Sequence, residues 1–240
     1  MIHLSVIIPS YNEEKRLPAT LFDIDKYLSL QNYEYEILVV DDGSKDKTID
    51  VVKNLISKIK NLKVLSYGEN KGKGYAVKFG MLGAQGEYRL FTDADNSTTI
   101  NQVEKMWPYF KEGYDVVIGS RDVRGAVLDP PQPMHRRILG EVFGLFTKVL
   151  AGTWGLNDTQ CGFKGLTKRA ADNIFPKCII DRFAFDPEML FLAKKFRYKI
   201  KEMPIRWKND LESKVKFKSM VKMGIDILKI RWNIITRKYA

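Results

Sequence analysis

YEILVVDDGSKDKT, residues 35–48, decides the fold class. Its first seven residues contain an uncharged run, Ile37 to Val40, dense in β-branched side chains. A short apolar run bounded by turn residues reads as a strand buried on both faces. Asp41, Asp42, Gly43 and Ser44 then break the pattern, and these residue types turn a chain and cap a helix. Helical spacing follows over 47–60. Strand, polar turn and helix together are the repeating unit of an α/β sheet.

The unit recurs on both sides. LSVII (4–8) leads into PSYNE (9–13), KVLSY (63–67) into ENKGKGYA (69–76), and YRLFTD (88–93) and YDVVIGS (114–120) complete the strands of the first half. Helical spacing fills 15–30, 74–84 and 99–111 between them. Right-handed βαβ connections then give a doubly wound, mostly parallel sheet with helices on both faces. Ligands bind such sheets beyond the carboxyl ends of the strands, where all of these polar loops fall.

After Arg121 the pattern changes. VRGAVLDPPQPMHRR holds three of the nine prolines and reads as an irregular loop, and RILGEVFGLFTKVLAG as a helix apolar on most sides. NDTQCGFKGL reads as a polar loop running into a short strand, FDPEMLFLAKKF as a helix and YKIKEMPIRW as one more strand. Residues 1–214 are expected to form one domain and 215–240 a basic amphipathic helix.

Composition narrows the classes. The chain has 240 residues, 45% of them hydrophobic, enough for one substantial core. Cys161 and Cys178 make no CxxC pair, which points to a reducing compartment. The opening MIHLSVIIPSYNEE has no signal-peptide pattern, so the two N-x-[ST] matches at Asn96 and Asn157 are expected to be chance. No uncharged apolar run approaches the roughly 18 residues of a membrane span. Net charge is +11, and residues 206–240 hold ten Lys/Arg against three Asp/Glu. Such a basic end suits an anionic surface, membrane or nucleic acid.

Two motifs suggest chemistry. DAD (93–95) ends the fourth strand with two carboxylates one residue apart and no adjacent basic residue. Carboxylates that close repel unless a cation joins them, and Mg2+ or Mn2+ prefers oxygen ligands shared with substrate phosphates. KGKG (71–74) offers backbone N–H groups at a helix start to a phosphate, although neither GxxxxGK[ST] nor GxGxxG is present. A solvated turn accounts for a lone D-x-D triplet, and plain helix capping for Asp41-Asp42. The convergence of several polar loops on one edge favours a site.

In this order PSYNE, VVDDGS, NKGKG, DAD and GSR (119–121) resemble the inverting GT-A glycosyltransferases, which use nucleotide sugars on a Rossmann-like fold. DTQCGFK (158–164), RFAFDPE (182–188) and the ESK of RWKNDLESK (206–214) are similar to the dolichyl-phosphate glucosyltransferase branch, and less so to the related mannosyltransferases. The resemblance implies transfer of a hexose, glucose from UDP-glucose being favoured, to a polyprenyl or dolichyl phosphate with inversion. It implies that Pro9, Tyr11, Asn12, Glu13, Asp41 and Asp42 hold the nucleoside, with Lys71 and Lys73 near it. Asp93, Ala94 and Asp95 would sit at the donor, with Asp95 and Asp93 on Mg2+ or Mn2+. Arg121, Arg136, Arg137, Ser213 and Lys214 would receive the acceptor phosphate, and Asp158, Gln160 and Glu188 would line the sugar pocket. Catalysis would rest on Asp95, Arg121, Asp158, Glu188 and Lys214. The sequence departs from the branch at Glu212, where Gly is usual, and is expected to do without the leading membrane helix usual in eukaryotic members.

The chemistry agrees with a phosphate nucleophile. A phosphate monoester with a second pKa of about 6 is anionic at neutral pH and needs little help from a base. The only histidines, His3 and His135, stand in the first strand and the proline-rich loop. A glycan or protein hydroxyl acceptor would instead need a base, for which Asp158 or Glu188 would serve.

In the C-terminal stretch Met220, Met223, Ile227, Ile230 and Ile234 share a stripe, joined by Val221, Ile225, Leu228, Trp232 and Ile235. Lys222, Asp226, Lys229 and Asn233 oppose them. Such a helix lies in a headgroup layer, or packs on the core or a second subunit, so a homo-oligomer stays open. Its aliphatic character argues against nucleic acid. The expected setting is cytoplasmic, peripherally on a membrane, with the helix from Met134 as a second lipid contact.

Overall fold

The computed structural model describes residues 2–131, 134–208 and 217–239. In chain order it runs β1 (Leu4–Ser10), α1 (Leu17–Leu28), β2 (Tyr35–Asp41), α2 (Thr48–Leu55), β3 (Leu62–Ser66), α3 (Lys73–Gly83) and β4 (Tyr88–Thr92). Then come α4 (Trp107–Lys111), β5 (Val116–Ser120), β6 (Val127–Asp129), α5 (Met134–Ala151), β7 (Phe163–Thr167) and α6 (Lys168–Ile174). α7 (Phe185–Lys195), β8 (Ile200–Pro204), β9 (Arg206–Lys208) and α8 (Phe217–Ile235) complete it.

Seven strands form one sheet in the order β3-β2-β1-β4-β7-β5-β8. All its pairings are parallel except those of β7, which runs against both β4 and β5. The uninterrupted apolar runs are explained by burial on both faces. Val6, Ile8, Ile37, Val39 and Leu90 point to one layer with Leu21 and Ile24 of α1, while Ile7, Leu38, Val40 and Phe91 point to the other with Val77 and Met81 of α3. Because both faces are covered, polar residues are displaced to the strand ends, where the site forms.

Three segments differ from expectation. Residues 99–111 are a 3₁₀ stretch, Ile100–Lys105, followed by the short α4 with Pro108 in its first turn. Proline has no N–H for a preceding turn, so it starts a new helix where a continuous one was expected. The proline-rich loop contains β6, which pairs in parallel with β9 from Val127↔Arg206 to Asp129↔Lys208. The helix after it begins at Met134, so the last four residues of the stretch read as an irregular loop are helical.

The C-terminal helix has two apolar faces. Met223, Ile227 and Ile230 are buried, and Ile227 and Ile230 pack with Ala151, Ile180 and Ala184. Val221, Ile225, Leu228, Trp232 and Ile235 are 51–61% exposed. Asn233, expected on the polar stripe, is buried instead, because the wide inward stripe rotates it under the helix. On α5, which contacts α8, Val142, Leu145, Phe146 and Val149 also face outward. Among the described residues no helix is long and apolar enough to cross a membrane.

Candidate active site

β1, β2, β3, β4 and β5 all end at one edge of the sheet. Reversal of β7 has a functional consequence: with Thr92 opposite Phe163 and Ile118 near Lys164, the loop entering β7 arrives at the same edge as the loops leaving β4 and β5. Residues distant in sequence thereby converge.

On the nucleoside side the first two loops are zipped together. Asn12, in the left-handed region at φ 54°, accepts Lys45 N–H at 2.8 Å while its own N–H donates to Ser44 Oγ. Glu13 N–H donates to Thr48 Oγ1, and the Glu13 carboxylate pairs with Arg16 at 2.8 Å. Pro9 and Tyr11 are half-buried beside them. Asp41 and Asp42, expected to face a base or ribose, accept hydrogen bonds from protein donors. Asp41 accepts the Gly43 and Ser44 amides, and Asp42 accepts Tyr67 Oη (2.8 Å), Asn70 Nδ2 (2.9 Å) and the Lys71 and Gly72 amides. A buried carboxylate is stable only when so satisfied, and here it folds the NKGKG loop onto the sheet edge. Gly43, at φ 68°, lies so near the Glu69–Asn70 peptide that a Cβ would stand 2.5 Å from its carbon. The Lys71 ammonium lies 3.4 Å from Glu69 and over the Tyr75 ring.

The DAD turn is the electrostatic centre. Lys73 Nζ lies 2.6 Å from Asp93 Oδ1, and Asp95 Oδ1 caps the Ser97 amide at 3.0 Å. Ala94, buried between them, accepts the Thr20 hydroxyl on its carbonyl. Burial pulls the Lys73 ammonium down, but Asp93 and Asp186 outweigh it and hold its pKa above the usual lysine range. Burial first, and the Asp93 charge second, push the Asp95 carboxyl above its ordinary range. A half-buried carboxylate pair balanced by one lysine is a donor set that a hard divalent cation fits. Among the described residues no three His, Cys, Asp or Glu group into a closed metal cage. Mg2+ and Mn2+ are commonly held by one or two carboxylates plus substrate phosphates.

Across the edge, Arg121 donates through Nε and Nη2 to Asp158 at 2.7 and 2.9 Å, and its amide to the same carboxylate at 3.0 Å. The guanidinium also stacks near Trp207 of β9. Burial alone would raise the Asp158 carboxyl, but Arg121 reverses this and holds it below the carboxylate range. Asp158 Oδ1 further accepts the Gln160 amide, and Glu202 accepts the amides of Asn157 and Asp158. Gln160 Nε2 is buried beside them with no hydrogen-bond partner, a donor left without its acceptor.

Glu188 is placed differently from expectation. It is fully buried, accepts the Ile179 and Ile180 amides at 3.0–3.1 Å, and receives Tyr239 Oη at 2.6 Å. Its oxygens brace the fold instead of lining a sugar pocket. Ser213 and Lys214 lie outside the described residues, as do the side chains of Arg136 and Arg137 in the first turn of α5.

A model of glycosyl transferase family 2 matches residues 5–175. The chain belongs to that family. It is 40% identical over 247 residues to the dolichyl-phosphate beta-glucosyltransferase of Dictyostelium discoideum, covering 98% of this chain and 75% of that one. A dolichyl-phosphate beta-glucosyltransferase of Trichomonas vaginalis is 36% identical over 261 residues, covering 99% and 78%. Glucosyl-3-phosphoglycerate synthase from Mycobacterium tuberculosis, solved with Mn2+ and UDP-glucose, superposes with a TM-score of 0.68 at 15% identity over 97% of this chain and 78% of that one. That likeness shows the shared GT-A fold.

In this glycosyltransferase two charged residues escaped the sequence reading. Lys164, inside β7 and fully buried, donates to Asp186 Oδ1 and to the Cys161 carbonyl at 2.5 Å. Burial lifts the Asp186 carboxyl against the pull of Lys164 and Lys73. A lysine in the apolar run FKGL was the available signal, since an unpaired ammonium is almost never buried. Gly162 is the second contact of the DAD turn: a Cβ there would overlap the Asp93 carboxylate. Gly162→Ala is therefore expected to displace Asp93 from Lys73 and lower kcat/KM about a hundredfold, since misplacement by an ångström costs that much. Thermal melting beside steady-state rates checks it; an unchanged kcat/KM would show that Asp93 need not sit there.

Proposed function

We propose that this glycosyltransferase moves glucose from UDP-glucose to a polyprenyl or dolichyl phosphate, with inversion, at a membrane surface. One observation supports this over a hydroxyl acceptor: both carboxylates eligible as a base are committed elsewhere. Asp158 is locked to Arg121 with its pKa held low, and Glu188 is sealed in the fold under Tyr239. A low-pKa, ion-paired carboxylate is a poor proton acceptor, so the nucleophile must arrive already anionic, as a phosphate monoester does.

In this reading the zipped loops of Asn12, Glu13, Asp41 and Asp42 hold the nucleoside, with Pro9 and Tyr11 at the wall. Lys73 stands at Asp93 beside the diphosphate, and the buried Gln160 amide meets a sugar hydroxyl. Mg2+ or Mn2+ on Asp95 and Asp93 would offset charge growing on the departing nucleoside diphosphate. Two of the three Arg121 nitrogens are engaged by Asp158, which orients the guanidinium for the acceptor phosphate, with Arg136, Arg137, Ser213 and Lys214 proposed to join it. Rate acceleration then comes from placement and electrostatics. The names of the relatives above and the UDP-glucose and Mn2+ of the mycobacterial structure support the donor and metal assignments.

A lipid acceptor must be met at its surface, and α5 and α8 present the means. Their outward residues, Val142, Val149, Leu228 and Trp232 among them, form an apolar face flanked by exposed Lys222, Lys229 and Arg231. An apolar face rimmed by cations suits an anionic headgroup layer and a peripheral, cytoplasmic-side enzyme. Leu228→Asp/Trp232→Asp is expected to lower binding to acidic vesicles at least tenfold, since each large side chain contributes ~1.5–3 kcal/mol when buried. Turnover of a short, detergent-soluble acceptor should persist; vesicle binding equal to wild type would remove the face from the account.

The decisive experiment is direct. Purified protein with labelled UDP-glucose, Mg2+ or Mn2+ and a polyprenyl phosphate should yield labelled lipid whose glucose is β-linked. Transfer to a glycan or protein in place of the lipid phosphate, or no transfer from any nucleotide sugar, would overturn the proposal.

A further inference from the structure

Tyr239 is among the largest fully buried side chains of the described chain, although it lies four residues beyond α8 and next to the last residue. Its ring packs on Phe191 of α7, and its carbonyl accepts Lys195 Nζ. Its hydroxyl donates to Glu188 at 2.6 Å, and Glu188 in turn holds the amides of Ile179 and Ile180.

Residues 178–182, the segment gripped by Glu188, form a strap between α8 and the donor edge. On one side Ile180 packs against Ile227 and Ile230 of α8. On the other side the strap turns its backbone carbonyls to α3. Tyr75 N–H donates to Asp181 O at 3.0 Å, and Lys78 Nζ to Cys178 O at 2.7 Å. Gly72 and Gly74 are required there, since a Cβ on either would stand 2.5–2.6 Å from the Asp181 or Ile180 carbonyl oxygen. Those two glycines bracket Lys73, which holds Asp93, and Gly72 N–H is bound by Asp42.

We propose that Tyr239 is a positioning residue: through Glu188 it sets the strap against the first turn of α3, so that the seating of the C-terminal helix fixes Lys73 and Asp42 at the nucleotide site. The proposal rests on the donor reading given above. In physical terms, a chain of hydrogen bonds and glycine-tight backbone contacts links the face that meets lipid to the loop that meets diphosphate. α8 docked on its surface then has its donor site in register, and α8 displaced does not.

Tyr239→Phe tests this because it keeps the ring and removes only the hydroxyl. The loss of one hydrogen bond to a buried carboxylate, passed to the strap, is expected to weaken UDP–Mn2+ binding and raise the KM for UDP-glucose about tenfold. The KM for the lipid acceptor should not move, and Glu188→Gln should add little to Tyr239→Phe because both act through one link. A merely structural role would lower the melting temperature and the active fraction while leaving the donor Kd of the folded protein unchanged. That result, or additive effects of the two substitutions, would overturn the latch. Wild-type protein that binds no UDP in calorimetry would overturn the donor reading and the latch together.

Discussion

Asp95→Asn is expected to abolish glucosyl transfer, a loss in kcat/KM of roughly a hundred- to a thousandfold or more, while leaving the fold at least as stable as before. The two halves have one cause. Burial and the Asp93 charge raise the Asp95 pKa, so without a cation the ionised carboxylate is disfavoured in the folded chain. A carboxyl whose folded pKa is raised binds its proton more tightly when folded, so the associated stability is lost as pH rises above the unfolded value, about 3.9. Removing that charge should therefore leave the melting temperature at neutral pH unchanged or higher. The wild type should gain thermal stability from UDP with Mn2+, because a ligand bound only by the folded state stabilises it, and the variant should not. Substantial turnover in the variant, or an equal gain with Mn2+ in both proteins, would remove Asp95 from the metal site.

The same electrostatics explain what could be read from sequence and what could not. Val6, Ile8, Val39 and Leu90 stand in unbroken apolar runs because both faces of the sheet are covered, so strands and their polar ends were visible directly. DAD was legible because nothing local balances it; its partner Lys73 opens α3 twenty residues earlier and was named only by resemblance. β7 was legible as a strand, but not its direction, which depends on pairing with β4 and β5 and not on its own residues. Asp186, Lys164 and the embrace of Asp42 by residues 67–72 are products of tertiary approach. Glu188 shows the opposite failure. Its motif was visible and its chemistry plausible, yet its two oxygens are taken by the Ile179 and Ile180 amides and by Tyr239, fifty-one positions away.

Arg121→Met is expected to cost about 3–5 kcal/mol of stability at neutral pH, a large share of the ~5–15 kcal/mol that a domain has. Asp158 is 3% exposed and takes three donors from Arg121, so removing the guanidinium leaves a buried charge with its desolvation uncompensated. The amide remains, but the two side-chain bonds and the Coulomb attraction go. In the wild type the folded Asp158 pKa is depressed, so the stability of the pair is present above the unfolded value and lost as pH falls through the folded one. In the variant, burial dominates and raises the same pKa, which reverses the sign: its stability should fall as pH rises from about 4.5 to 7. The difference between the two proteins in urea unfolding should therefore widen across that interval, and Asp158→Asn in the Arg121→Met background should narrow it at pH 7. A deficit below about 1 kcal/mol, or one independent of pH, would mean that water screens Asp158 and that the pair is an ordinary surface contact. Transfer should fall as well, and here the second substitution discriminates between roles. If Arg121 only steadies Asp158, the double variant regains activity along with stability; if its guanidinium also meets the acceptor phosphate, stability returns and turnover does not.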